Sequence, residues 1–134
     1  MSKYFLDTNI LIYAYSNSEP HKAETANALL FEGDSLISLQ VINEFSNICL
    51  KKLRLKEKAV IAAILEITSS ISVVSFSLST QLKALQLCQQ HSVSYYDALI
   101  AATALENDCT ILYSEDMQNN QIIKNQLRII NPFH

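Results

Sequence analysis

The chain has 134 residues, enough for one domain with a buried core and too few for two ordinary ones. Hydrophobic residues make up 49% of it and charged residues only 17%, which excludes a disordered chain and fits a well-buried α/β or α-helical domain. The net charge of −3 carries no overall basic footprint for nucleic acid, so any phosphate contact has to come from a local cluster.

Met1-Ser2-Lys3 runs into an apolar segment broken by Asp7, leaving no uninterrupted signal-peptide core, and no later run reaches membrane-spanning length. A soluble, unexported protein with no membrane partner is therefore expected. Tyr4-Phe5-Leu6 reads as a short buried strand, and Asp7-Thr8-Asn9 suits a turn and helix cap. Ile10 to Tyr15 stays apolar. Pro20 then suits the start of a helix, in which Ala23, Ala26, Leu29 and Leu30 recur at helical spacing up to Glu32, with Gly33 as its stop.

Ser35 to Leu39 reads as a second strand. Val41, Phe45, Ile48 and Cys49 follow on one face of a helix that carries Glu44 near its start. A further amphipathic helix spans about Lys56 to Thr68, then Ile71-Ser72-Val73-Val74 forms a β-branched strand, and Leu78, Leu82, Leu85 and Cys88 mark another helix. Tyr95 to Glu106 is nearly all apolar and rich in alanine, a helix buried on most sides with Asp97 in its first turn. Thr110 to Tyr113 is a strand ending in Ser114-Glu115-Asp116, and Arg128-Ile129-Ile130 is the last. This alternation predicts a single α/β domain over residues 1–134, a mainly parallel sheet with helices on both faces.

In such open sheets, sites form beyond the carboxyl ends of the strands. Asp7 and Asp116 follow strands, while Glu44 and Asp97 are expected to open helices, so all four acids have access to one edge. Acids at these positions also serve as helix caps and turn residues, and singly each reads that way. Four together form an oxygen-rich set suited to hard cations such as Mg²⁺. Cys49, Cys88 and Cys109 are odd in number and lie in apolar stretches, which points to free thiols in a reducing cytoplasm. His21, His91 and His134 are too dispersed to suggest zinc.

At these residues the chain resembles the PIN-domain ribonucleases, and among them the VapC-type toxins of bacterial toxin–antitoxin pairs. The resemblance is carried by Asp7-Thr8-Asn9 after the first strand, Val41-Ile42-Asn43-Glu44-Phe45, Tyr96-Asp97-Ala98-Leu99-Ile100-Ala101, and Ser114-Glu115-Asp116 after a late strand. It implies an α/β/α sandwich and a Mg²⁺- or Mn²⁺-dependent endoribonuclease. It also implies an acidic cage of Asp7, Glu44, Asp97 and Asp116 assisted by Thr8, Asn9 and Ser114, a homodimer, and a small antitoxin partner. Glu115 stands where relatives often carry a neutral polar residue, so Asp116 is expected as the ligand and Glu115 as its solvated neighbour.

Five of the ten Lys and Arg residues fall within residues 51–58, and Lys51, Lys52 and Arg54 are candidates for RNA backbone contact; the alternative is a solvated helix end. Tyr95 and Tyr96 read as packing rather than base-stacking residues, and Tyr13 and Tyr15 as helix packing or a partner surface. Two other functions fit parts of the pattern. A haloacid-dehalogenase phosphatase also places an aspartate after its first strand, but needs a second one two positions on, where this chain has Asn9. A catalytically silent PIN-like module binding RNA or protein would not need all four acids.

Overall fold

A computed structural model describes residues 3–133, apart from the side chain of Glu32; His134 lies outside them. The described residues form, in order, β1 (Tyr4–Leu6), α1 (Thr8–Ala14), α2 (Pro20–Glu32), β2 (Ser35–Ser38), α3 (Leu39–Lys51), α4 (Glu57–Ser70) and β3 (Ser72–Val74). They continue with α5 (Leu78–Gln90), α6 (Tyr95–Glu106), β4 (Ile111–Tyr113), β5 (Ile122–Ile123) and β6 (Leu127–Ile130). The strands make one sheet in the order β3-β2-β1-β4-β6-β5, parallel except for the β5–β6 pair. Helices α1 to α4 pack against one another, and α5 packs on α6, so two helical groups sandwich the sheet.

The central strands are apolar because both faces are covered. Phe5, Leu6 and Leu112 are fully buried, as continuous apolar runs in a parallel sheet require. Chain order reverses between β1 and β4, whose register sets Leu6 opposite Tyr113. At such a switch point the connections leave in opposite directions and open a crevice at the carboxyl ends. Asp7 and Ser114, the residues after each strand, therefore begin that crevice side by side.

Several boundaries differ from the sequence expectation. Leu39 opens α3 rather than closing β2, because the Ser38 hydroxyl caps the helix by accepting from the Val41 N–H at 3.3 Å. Glu44 consequently sits in the second turn of α3, not at its opening. Ile71 ends α4 instead of starting β3. Gly33 stops α2 in extended conformation, with φ −117°, so its role needs no left-handed backbone. The β5–β6 hairpin was not expected; two residues of β5 carry too little periodicity to show. On α5 the leucines of the apolar repeat point outward: Leu78, Leu82 and Leu85 are exposed, while Thr80, Ala84 and Leu87 face the core.

Candidate metal-binding active site

Asp7 leaves β1 and caps α1, its Oδ1 accepting from the Thr8 N–H at 2.7 Å. Its Oδ2 accepts from the Ser114 hydroxyl at 2.7 Å, a bond made possible by the β1–β4 register. Thr8 turns its hydroxyl to the next acid and donates to Glu44 Oε1 at 3.2 Å. Glu44 also accepts from the Gln40 amide at 3.3 Å, one turn earlier on α3. Asp97 is the third residue of α6, where the Ser94 hydroxyl caps its N–H at 3.3 Å. Asp116, in the loop after β4, accepts from the Asn9 amide at 3.0 Å.

All four acids, with Thr8 and Asn9, line one open cavity of about 500 Å³, whose rim also includes Tyr13 and Lys52. The cavity passes from dry to wet: Asp7 is 5% exposed, Glu44 and Asp97 are half-buried, and Asp116 is exposed. Burial pushes the Asp7 carboxyl up to about 6, against the pull of the Ser114 and Thr8 hydrogen bonds, and the charges of Asp97 and Glu44 add to the rise. Glu44 is raised by burial and by Asp97, and Asp97 by burial and by Asp116. The acids thus repel one another electrostatically across the cavity.

Among the described residues, no three His, Cys, Asp or Glu side chains are gathered into a ready-made metal cage. The donor set nevertheless suits a hard divalent cation: four carboxylates with mutual repulsion to relieve, no thiol or imidazole among the described residues of the cavity wall, and hydroxyl and amide donors already orienting individual oxygens.

Glu115 is not a solvated neighbour of Asp116. It turns from the cavity into an ion pair with Lys22 at 2.5 Å and accepts from the Tyr13 hydroxyl at 2.5 Å. Burial raises its carboxyl, but these contacts outweigh burial and hold it below the usual range. The Lys22 ammonium also lies over the Tyr13 and Phe133 rings, 4.8 and 5.6 Å from their centroids. Tyr13 therefore pins the loop that presents Asp116. Tyr15 packs edge-on against Phe45 and donates to Glu66.

Of the basic candidates, only Lys52 reaches the cavity. Lys51 is exposed on the last turn of α3, and Arg54, at φ 55°, occupies the left-handed turn beyond it. Sequence reasoning missed Gln40, Lys22 and the Glu115 contacts. Gln40 had a signal, since it lies four residues before Glu44 on the same helix face. Lys22 had none, being joined to Glu115 only by the fold.

Comparison with known structures finds the same fold in several solved proteins. The fold matches a sarcin–ricin loop cleaving VapC toxin of Mycobacterium tuberculosis at TM-score 0.69 and 17% identity, covering 84% of this chain and 89% of that one. It matches a toxin–antitoxin complex from Klebsiella pneumoniae at 0.69 and 21%, covering 96% and 97%. A DNA-bound VapBC of Salmonella typhimurium matches at 0.69 and 22%, again covering 96% and 97%. Comparison with curated protein sequences finds no match. The PIN domain family model matches residues 4–122, nearly the whole chain and all four acids, and the chain belongs to the PIN domain family.

Proposed function

We propose that the chain is a metal-dependent endoribonuclease, the toxin of a toxin–antitoxin pair. The observation that carries this reading is the meeting of Asp7, Glu44, Asp97 and Asp116 on one cavity at the switch point of a PIN-domain sheet. These four acids would hold Mg²⁺ or Mn²⁺, which when bound acidifies water and neutralises charge on a phosphodiester during in-line displacement.

The chain's own residues prepare that chemistry. Ser114 and the Thr8 N–H fix the two oxygens of Asp7, one each, while the Thr8 hydroxyl and the Gln40 amide both donate to Oε1 of Glu44 and leave its Oε2 available. Asn9 holds Asp116 toward the cavity, while Lys22 and Tyr13 hold Glu115 away from it. Burial of Asp7 keeps bulk water from one side of the site. A phosphatase of the dehalogenase type is disfavoured because the amide at position 9 donates to Asp116 and supplies no acid–base group.

Two partners belong to the same reading: a small antitoxin and a second copy of the chain. The Klebsiella and Salmonella relatives are toxin–antitoxin complexes, and two apolar faces here lack cover, Leu78, Leu82 and Leu85 on α5 and Ile61 and Leu65 on α4. No helix among the described residues is long and apolar enough to cross a membrane.

The test is incubation of the purified protein with total cellular RNA, with and without Mg²⁺ or Mn²⁺. Discrete metal-requiring fragments are expected, lost by roughly 10–100-fold or more in Asp7→Asn, Asp97→Asn and Asp116→Asn. Glu115→Gln is expected to stay within a few-fold of the wild type. Equal, metal-independent behaviour of all these proteins would refute the nuclease and favour a silent binding module.

A further inference from the structure

A second cavity, of about 670 Å³, shares Glu44 with the acidic one and extends from it between α3, the β3–α5 loop and the start of α6. Its size is that of a small-molecule site. Phe76, Tyr95 and Tyr96 supply aromatic surface, with Tyr96 66% exposed and set edge-to-face on Tyr95 at 5.6 Å. Asn43, Asn47 and Gln81 supply neutral amides, each able to donate and accept. No Lys or Arg lies on the described walls, and the one charged group is Glu44. Such a cavity does not suit a phosphate.

Gln40 on the same wall is 7% exposed. Its Nε2 is committed, donating to Glu44 and to the Tyr96 carbonyl at 3.1 Å. Its Oε1 is buried and accepts no hydrogen bond among the described residues. A buried acceptor without a donor costs about 1–3 kcal/mol, so the groove wall includes a residue whose amide oxygen the fold leaves unsatisfied. Aromatic faces, neutral amides and an orphan acceptor beside a phosphodiester-cleaving site are the requirements of a nucleobase.

We propose that this groove is a nucleobase subsite, which takes the unpaired base next to the phosphate held at the acids, stacking it on Tyr96 and reading its edge with the amides of Asn43, Asn47 and Gln81. The inference rests on the ribonuclease reading for its substrate class. It makes base preference at the cut a property of α3 and α6 rather than of the basic cluster.

The experiment measures binding of end-labelled RNA decamers, four homopolymeric and one abasic, in chelator at low ionic strength, to the wild type, Tyr96→Ala and Asn47→Ala. Both substituted residues are exposed, so the variants are expected to melt with the wild type. Wild type should bind at least one homopolymer about tenfold tighter than the abasic decamer, and Tyr96→Ala should remove most of that gap. Asn47→Ala should change which homopolymer is preferred. No gap in the wild type, or a gap kept in full by both variants, would overturn the proposal. So would a halved sedimentation mass in either variant, which would assign the groove to a second copy of the chain. Binding needs no turnover: base discrimination without RNA cleavage would refute the nuclease and leave the subsite standing, and cleavage without discrimination would do the reverse.

Discussion

Asp7 is kept almost out of water with Asp97 and Glu44 contributing like charge, and its carboxyl is pushed from 3.8 up to about 6. The sign of the consequence follows from proton binding. Between pH 3.8 and about 6 the unfolded chain loses a proton that the native chain keeps, so this group makes stability fall as pH rises, and above about 6 the loss is complete. The gap between the two values corresponds to about 3 kcal/mol. Asp7→Asn preserves an acceptor for Ser114 without the charge, and in chelator at neutral pH it is expected to raise stability by roughly 1–3 kcal/mol while abolishing cleavage. Denaturant melts across the acid range, with and without Mg²⁺, check this. The wild type should recover the difference on adding metal and the variant should not. A variant less stable than the wild type in chelator would mean that the buried charge is satisfied by the protein alone.

At the scale of elements, what could be read in the sequence was whatever depended on neighbours within a few residues. Asp7 and Ser114 were legible because each directly ends an apolar strand, and Asp97 because it opens an alanine-rich helix. The outward face of α5 was not legible, since spacing reports that leucines share a face but not which way it points. The inner face is set by α6, whose Ala98, Ala101 and Ala102 are buried. Close approach of the two helices leaves room for Ala84 and for Thr80, whose hydroxyl donates to Glu106, an acid that Lys83 also pairs at 2.7 Å. Leu78, Leu82 and Leu85 are left outside. Leu82→Glu is therefore expected to halve the sedimentation mass if α5 forms the homodimer face, with monomer stability changed by no more than about 0.5 kcal/mol. An unchanged mass, with the wild type already a dimer, would move the interface to another surface. Glu115 shows the same limit from the other side. Its partner Lys22 lies on α2, and only the finished packing of α1 on α2 brings Tyr13, Lys22 and the β4 loop together.

Over the whole molecule, the proposed ribonuclease, an acidic chain, would have to attract a polyanion to a cavity walled by four acids, and the distribution of its charge bears on how. Bound metal would offset the acids locally, while five of the ten cations sit in residues 51–58, from the last residue of α3 to the first turn of α4. Glu44 and Lys52 belong to α3 and its end, so the same helix carries a proposed metal ligand and, two turns on, a cation at the cavity rim. This order suits an RNA backbone that crosses the acids and leaves over the end of α3. Each phosphate contact on a single strand contributes about 0.7 to the slope of log affinity against log salt. Replacing Lys51, Lys52 and Arg54 with alanine is expected to flatten that slope by about 2 if all three touch phosphate, and by about 0.7 if Lys52 alone does. The structure favours Lys52 as the largest single contributor, because the other two lie off the cavity. Salt titrations of RNA binding by the single and triple variants, alongside Mg²⁺-dependent melting, separate the cases. A slope unmoved by Lys52→Ala would leave the cluster as a solvated helix end and require the strand to approach from the groove beside Tyr96.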